Sequence, residues 1–327
     1  MTLLDKNVLI TGGAGFIGSH LCEEVARKRP KRLVVVDNLF LGKKNNLKGA
    51  LRLYPKLKFY KTSVTDYKKL KEIIRKNNIE VVFNLAVVPL PASLVKPEMA
   101  FNVNVDSVLN LCELARKGYY KTLIHCSSSE AYGSAQYVPM DEKHPCNPST
   151  AYAASKLSGD QLCLAYARAY GIDVSVLRPF NNYGPRQNAG SYAGIIPVVI
   201  KRALKGKTID IYGDGRQTRD YIFVQDTASA FIDVYKTRAA RNQVINVASG
   251  KEISVNELVR AILHIMDAKR AKIRHISPRP GDVRRHCGDV KLARKTFDFK
   301  QRIRFEDGLR QTIEWYVGNN RKRKEQK

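Results

Sequence analysis

The sequence predicts an α/β protein with a Rossmann-type, doubly wound parallel sheet and a smaller, mixed α/β lobe towards the C-terminus. Short apolar runs alternate with amphipathic stretches through the first half of the chain, and a glycine-rich turn follows the first apolar run. Such alternation favours a parallel sheet covered by helices on both faces. The pattern loosens after Arg178, and 327 residues exceed the usual size of one core, so we expect two lobes.

The individual elements follow from hydrophobic periodicity. Ile17, Leu21 and Val25 recur at fourfold spacing, which indicates a first amphipathic helix. The valine-rich run at 33–36 fits a strand that is buried on both faces. The predicted strands are 7–11, 33–36, 57–60, 81–85, 122–126 and 174–177. The predicted helices are 15–29, 66–76, 98–116 and 151–170, followed after a long glycine- and proline-rich loop by 196–205, 226–236 and 255–266.

Composition excludes several classes of protein. Hydrophobic residues make up 44% and charged residues 27%, which excludes a disordered chain. No apolar run reaches the ~18 residues of a membrane span. The N-terminus lacks the basic and apolar regions of a signal peptide. The six cysteines are scattered without metal-ligand spacing, so we expect reduced thiols, a cytoplasmic protein and no metal.

The charge balance is unusual, because 57 Lys and Arg stand against 30 Asp and Glu, a net charge of +27. Such a surface attracts polyanions. Nucleic acid, an anionic membrane and phosphorylated substrates all qualify, and composition does not choose among them. The basic residues are spread through the chain without an aromatic-interleaved motif, so we expect no specific nucleic acid and no membrane as partner.

A glycine-rich turn carries the clearest motif. Gly12, Gly15 and Gly18 follow the first strand and open the first helix. Glycine permits a tight turn and a close approach to a pyrophosphate, which then sits on a helix N-terminus. Asp37 ends the second strand, where a carboxylate binds a ribose 2′-hydroxyl and repels a 2′-phosphate. The combination predicts NAD rather than NADP.

A second group of residues carries catalytic chemistry. Tyr152 and Lys156 share one face of a predicted helix. The lysine ammonium and a cationic nicotinamide would both lower the tyrosine pKa, as a general base requires. Upstream, Ser128, Ser129 and Glu130 follow a predicted strand, at the sheet edge where open α/β sheets bind ligands.

These motifs resemble the extended short-chain dehydrogenase/reductases, specifically the nucleotide-sugar epimerase/dehydratase family. The resemblance covers nearly the whole chain. The matching segments are 12–18, 84–86, Asn104, 127–133, Tyr152 with Lys156, 178–181, 183–186, 213–215, 218–221 and 279–282.

The resemblance implies a role for each matching position. The catalytic set comprises Ser128, Ser129, Glu130, Tyr152 and Lys156. The NAD-binding set comprises Gly12, Gly15, Phe16, Ile17, Gly18, Asp37, Asn38, Ser63, Val64, Leu85, Ala86, Asn104, Tyr152 and Lys156, although the family often has Asp where Ser63 stands. The substrate-binding set comprises Ser128, Asn181, Arg186, Ile196, Tyr212, Arg219, Arg279 and Asp282. We accordingly expect an NAD-binding domain at 1–178 and a mainly substrate-binding lobe at 179–327, with some segments returning to the first domain.

Members of this family first oxidise C4 of the sugar and then diverge. Glu130 favours dehydration, since dehydratases and uronate decarboxylases place a carboxylate there, whereas many epimerases do not. Ser129 counts against it, because hexose 4,6-dehydratases often hold an aspartic acid at that position. We expect dehydration of a UDP-hexose, with UDP-N-acetylglucosamine as the favoured substrate. The alternatives are a UDP-sugar 4-epimerase, a UDP-glucuronate decarboxylase, and a non-catalytic NAD- or RNA-binding relative.

The resemblance also implies a homodimer. Helices 98–116 and 151–170 correspond to the family's dimer bundle.

Overall fold

The computed structural model describes residues 1–278 and 283–325. Its strands are β1 (Asn7–Thr11), β2 (Arg32–Val36), β3 (Lys58–Tyr60), β4 (Val81–Asn84), β5 (Thr122–Cys126), β6 (Asp173–Pro179), β7 (Asn181–Tyr183), β8 (Ile209–Tyr212), β9 (Thr218–Phe223), β10 (Val244–Val247), β11 (Glu252–Ser254) and β12 (Ile273–Ile276). Its helices are α1 (Phe16–Arg27), α2 (Lys48–Leu53), α3 (Tyr67–Lys76), α4 (Leu90–Ser93), α5 (Pro97–Arg116), α6 (Ala151–Tyr170), α7 (Ile195–Leu204), α8 (Val224–Lys236), α9 (Val255–Ile265), α10 (Lys291–Phe297) and α11 (Phe305–Glu325).

Seven parallel strands form the main sheet, in the order β10-β6-β5-β4-β1-β2-β3. The predicted doubly wound parallel sheet is therefore confirmed. The chain moves outwards from β1 to β3 and then returns to β4 on the other side of β1. This reversal opens a crevice at the carboxyl ends of β1 and β4, which is where such sheets bind ligands.

Alternate side chains of the central strands enter two separate cores. Val8 and Ile10 of β1 pack with Leu21 and Val25 of α1 on one face. Leu9, between them, packs with α3, α5 and α6 on the other face. This period of two explains why the buried strands read as continuous apolar runs.

The second lobe is smaller and mixed. A three-stranded sheet has the order β11-β9-β7, in which β9 is antiparallel to β11 and parallel to β7. Two further parallel strands, β8 and β12, pair separately. Helices α7, α9 and α11 contribute to a core of their own around Tyr183 and Phe223.

The chain does not divide cleanly at Arg178. The strand β10 pairs with β6 and completes the main sheet, and α8 packs against α1. The stretch after Arg178, which we expected to be loop, contains the short strand β7.

No helix among the described residues is long and apolar enough to cross a membrane. The six cysteines form no disulfide in the part of the chain that the structure describes.

Candidate active site

The glycine-rich turn lies at the crevice between β1 and β4. Gly12 has φ +66°, and a Cβ atom there would stand 2.6 Å from the carbonyl oxygen of Leu85. A Cβ atom at Gly18 would stand 2.2 Å from the carbonyl oxygen of Gly12. Only glycine fits at these two positions, because the turn, the first helix and the segment after β4 pack backbone against backbone.

Asp37 follows β2 at the edge of the same crevice. One carboxylate oxygen accepts a hydrogen bond from the Ala14 amide at 3.0 Å, and the other accepts one from the Leu39 amide at 2.7 Å. Burial raises the pKa of this carboxyl, and the backbone amides act in the opposite direction. Asp37 therefore braces the glycine turn and still borders the crevice.

A cavity of about 370 Å³ fills the crevice. Thirteen of the fourteen residues expected to bind NAD line it: Gly12, Gly15, Phe16, Ile17, Gly18, Asp37, Asn38, Ser63, Val64, Leu85, Ala86, Tyr152 and Lys156. The lining of this one cavity thus includes both the glycine backbone and the Tyr152–Lys156 pair.

Asn104 is the exception. Its side chain accepts a hydrogen bond from the Val88 amide at 2.7 Å and donates to the Val88 carbonyl at 3.1 Å. It also donates to the hydroxyl of Ser155 at 2.9 Å. Asn104 is buried behind the cavity, so it ties the segment after β4 to α6 instead of lining the site.

Tyr152 and Lys156 lie on one face of α6, as expected from their spacing. Ser128, which is placed by the end of β5, acts on the tyrosine hydroxyl and lowers its pKa, but less than burial raises it. The Lys156 ammonium donates to the carbonyl of Cys126 at 2.7 Å, and burial lowers its pKa. Burial raises the pKa of Tyr152, which is the opposite of the shift we expected. The chain alone therefore does not activate the tyrosine.

The three residues after Ser127 point in different directions. The Ser128 hydroxyl accepts a hydrogen bond from the Glu130 amide at 3.2 Å and so caps a 3₁₀ turn, Ser129–Tyr132. Glu130 lines a second cavity of about 500 Å³. Ser129 is only 3% exposed and lines neither cavity, while its carbonyl accepts a hydrogen bond from His286 at 3.2 Å. Ser129 belongs to the expected catalytic set, but the structure buries it in this turn, outside both cavities.

The second cavity adjoins the first. It is lined by four of the residues expected to bind substrate: Asn181, Ile196, Tyr212 and Arg219. Arg219 is held by hydrogen bonds to the carbonyls of Thr218 and Val283, at 2.8 and 2.7 Å. Arg279 and Asp282 lie outside the described residues.

Arg186 is placed differently from our expectation. Its guanidinium donates to Glu23 at 2.9 Å, to the Asn46 carbonyl at 3.0 Å and to Nδ1 of His20 at 2.9 Å. His20 in turn donates through Nε2 to the Pro185 carbonyl at 3.0 Å. Burial, reinforced by Arg186, lowers the His20 pKa to about 3 and keeps the ring neutral. Although Arg186 borders the first cavity, its contacts fasten the loop after β7 to α1.

Sequence reasoning missed two residues at the second cavity. Thr150 caps α6 through a hydrogen bond from the Ala153 amide at 3.1 Å, and it also lines the cavity. A threonine just before a helix is a recognisable N-cap signal. Arg202 lines the far end, paired with Asp210 at 2.8 Å. Nothing in its sequence context distinguishes Arg202 from the many other basic residues.

A family model described as the NAD-dependent epimerase/dehydratase family matches residues 8–248. A relative from Methanocaldococcus jannaschii, named putative UDP-glucose 4-epimerase, is 36% identical, with 96% of this chain and 99% of the relative aligned. The UDP-glucose 4-epimerase of Thermotoga maritima, solved with UDP-glucose, has a TM-score of 0.90 at 32% identity, covering 96% and 99% of the two chains. The dTDP-glucose 4,6-dehydratase DesIV of Streptomyces venezuelae, solved with NAD, has a TM-score of 0.90 at 28% identity, covering 96% and 97%.

Proposed function

The chain belongs to the NAD-dependent epimerase/dehydratase family, and on that premise we propose that it is a UDP-hexose dehydratase acting through transient oxidation at C4. One observation carries the proposal. Tyr152 borders the first cavity, Glu130 borders the second, and the two cavities share four lining residues, Pro91, Asn182, Gln187 and Gly194. A sugar at this junction is within reach of both a phenol and a carboxylate.

The first cavity fits the cofactor. The glycine turn leaves space that a Cβ atom would fill, and Asp37 provides the carboxylate for a ribose hydroxyl. NAD supplies the hydride acceptor for oxidation at C4. Lys156, which lies at the same end of the cavity as Tyr152, would hold the adjacent ribose.

In the oxidation step, Tyr152 accepts the proton of the C4 hydroxyl and Ser128 orients that hydroxyl. The raised pKa of Tyr152 makes the phenolate costly in the chain alone. A positive charge at the nicotinamide end of the cavity favours the phenolate, because an opposite charge nearby stabilises the ionised form. The tyrosine is then a base only when the cofactor is present.

Glu130 is proposed as the group that carries out elimination. The 4-keto group acidifies the C5 proton, and the Glu130 carboxylate removes it. The same carboxyl then returns the proton to the C6 oxygen, the C6–O bond breaks and one water leaves. The hydride taken from C4 would then return, either to C6 with a proton added at C5 or to C4 with the Tyr152 proton given back to O4, so that the net change is the loss of one water. This single-carboxyl route requires no acid at Ser129, which lines neither cavity.

A second candidate, 4-epimerisation of a UDP-sugar, is favoured by the same serine. The 4,6-dehydratases often hold an aspartic acid at this position. Here the residue is the buried Ser129, whose hydroxyl is a poor acid. Epimerisation needs Tyr152 and Ser128 but neither an acid nor a base at C5. Several similar proteins also carry epimerase names, including those from M. jannaschii and T. maritima.

The two candidates separate in one experiment. The purified enzyme is incubated with UDP-N-acetylglucosamine, and the product is analysed by mass spectrometry and by NMR. We expect loss of one water, abolished in Glu130→Gln and retained in Ser129→Ala. A product of unchanged mass with inverted configuration at C4 would show epimerisation instead of dehydration. In a parallel incubation with UDP-glucuronate, loss of carbon dioxide would favour decarboxylation.

We also propose that the enzyme acts in the cytoplasm as a homodimer, through α5 and α6. Phe101, Val105 and Leu109 form an apolar stripe at fourfold spacing on α5, and Phe101 and Leu109 are exposed. Light scattering should give about twice the 36.9 kDa chain mass. Phe101→Glu combined with Leu109→Glu should yield monomers, and a native protein that is already monomeric would contradict the dimer.

A further inference from the structure

Half of the net charge lies in one short part of the chain. Residues 27–76 contain 17 Lys and Arg but only 3 Asp and Glu, a net charge of +14 out of +27. The other 277 residues carry the remaining +13. Basic residues do occur throughout the chain, as expected, but the net positive charge is concentrated in this part of it.

The fold gathers many of these residues at one corner of the main sheet. Arg32 begins β2, and its guanidinium donates to the carbonyl of Lys76 at the end of α3, at 3.4 Å. Tyr54, just after α2, donates to the carbonyl of Lys31 at 2.9 Å. We define the basic edge as Lys28, Arg29, Lys31, Arg32, Arg52, Lys56, Lys58, Arg75 and Lys76. All of these are exposed except Arg32, which is half-buried.

The basic edge has almost no carboxylate to neutralise it. Of the 17 basic residues at 27–76, Arg27 is the one that forms an ion pair within the described residues, with Glu24 at 2.7 Å. The nearby Glu80 is occupied by Lys6 at 2.8 Å. The Asp66 carboxylate accepts a hydrogen bond from the backbone amide of Lys69 at the start of α3, so it serves as a helix cap. Basic side chains without neighbouring carboxylates repel one another, so an anion bound from outside would reduce that repulsion.

This charge is not explained by the active site. The basic edge lies at the amino ends of β2 and β3, whereas both cavities open at the carboxyl ends of the strands. A nucleotide diphosphate bound in the cavities would therefore lie at the opposite ends of the strands from the basic edge. The nucleotide diphosphate therefore does not account for this charge, which is suited to a separate, extended anionic partner.

Side chains beside the basic edge favour a lipid surface over a nucleic acid. Leu51 and Leu53 of α2 flank Arg52 and are 39% and 46% exposed. The aromatic side chains in this region are engaged: Phe59 lies under Lys44 at 5.3 Å, and Tyr60 accepts a hydrogen bond from Asn77 at 3.2 Å. Exposed leucines beside basic residues suit a headgroup boundary, while single-stranded nucleic acid requires free aromatic faces.

We propose that the basic edge docks the protein peripherally on an anionic membrane, with Leu51 and Leu53 entering the headgroup region. This departs from our expectation of no membrane partner. The contact needs no spanning helix, and it leaves both cavities facing away from the bilayer. Each basic residue near an anionic surface strengthens binding by roughly fivefold, so several together give a measurable affinity.

The test is flotation of the full-length protein with vesicles of phosphatidylcholine alone or mixed with phosphatidylglycerol, at low and high salt. We expect binding only to the anionic vesicles and release by high salt. The triple variant Lys31→Glu, Lys56→Glu, Lys76→Glu should bind at least tenfold more weakly. The matched control Lys251→Glu, Arg270→Glu, Lys272→Glu carries the same charge change at exposed positions of the second lobe and should bind anionic vesicles within about threefold of the native protein.

Leu51→Ser with Leu53→Ser separates lipid from nucleic acid. It should weaken vesicle binding while leaving any association with a single-stranded RNA unchanged. Equal loss in both triple variants would show a non-specific charge effect and overturn the assignment to the basic edge. Absence of vesicle binding alongside tight RNA binding would overturn the membrane proposal. Circular dichroism spectra confirm that each variant is folded.

Discussion

Asp160 accepts a hydrogen bond from Nε of Arg178 at 2.8 Å, in a buried ion pair one helical turn beyond Lys156. The guanidinium also lies 4.5 Å from the ring centre of Tyr132. The pair joins α6, which carries Tyr152 and Lys156, the side chains that we propose for catalysis, to β6. This pair, which lines neither cavity, therefore anchors the helix one turn from Lys156.

Removing Asp160 should be strongly destabilising. Asp160→Ala leaves the Arg178 guanidinium buried without a counter-charge, and such a loss costs about 3–5 kcal/mol. Urea unfolding measures the difference. Glu24→Ala is the matched control, since it breaks the exposed pair with Arg27 and should cost less than about 1 kcal/mol. Similar losses in both variants would show that burial of the pair is unimportant.

Gly12→Ala should abolish NAD binding. The new Cβ atom would be 2.6 Å from the Leu85 carbonyl, so the turn and the segment after β4 must separate. Gly118→Ala is the control, because Gly118 also has positive φ, at +76°, but a Cβ atom there meets nothing within 4 Å. Calorimetric titration with NAD should show no binding to the first variant and native affinity for the second. Native affinity in both would disprove the close packing of the turn.

Arg186→Ala should reduce stability rather than nucleotide affinity. The substitution removes the hydrogen bonds to Glu23 and to His20, and an unsatisfied, largely buried carboxylate costs about 1–3 kcal/mol. Binding of UDP should change by less than about threefold. Arg219→Ala, which alters the second cavity, should weaken UDP at least tenfold. A selective loss of UDP affinity in Arg186→Ala would restore its expected role in substrate binding.

Buried histidines should make the protein less stable in acid. Burial lowers the pKa of His286 from 6.5 to about 3, so the unfolded chain binds more protons than the folded protein between those values. Stability therefore falls as the pH drops through this window, by about 2 kcal/mol per such histidine between pH 7 and pH 5. His286→Gln should reduce that fall by this amount in urea unfolding, whereas the exposed His264→Gln should not. An unchanged fall in His286→Gln would show that this ring is not kept neutral.

The first lobe could be predicted from sequence because local signals and tertiary packing agree there. Val8, Leu9 and Ile10 are buried in β1, which is covered on both faces, and Gly12 and Gly18 mark backbone that packs too closely to admit a side chain. Helix α6 was predicted with its observed bounds, since Thr150 caps its start and Gly171 ends it in the left-handed conformation.

The errors concern side-chain direction, which periodicity does not determine. Asn104 and Ser129 are buried next to the site, and Arg186 borders the first cavity. The side chains of Asn104 and Arg186 and the backbone carbonyl of Ser129 all bond to partners distant in sequence. For Arg186 the partners come from α1 and from Asn46, more than a hundred residues earlier. A motif locates such residues near a site without showing which way they face.

In the proposed mechanism, C4 of the bound sugar is oxidised with Tyr152 as the base and NAD as the hydride acceptor, and the hydride never leaves the enzyme. The direct measurement uses UDP-N-acetylglucosamine carrying deuterium at C4, with products analysed by mass spectrometry and NMR. We predict that the product retains the deuterium, at C4 or at C6, and that Tyr152→Phe forms at least a thousandfold less product, within the usual scale of such losses. Loss of the deuterium to solvent, or native turnover by Tyr152→Phe, would contradict the account.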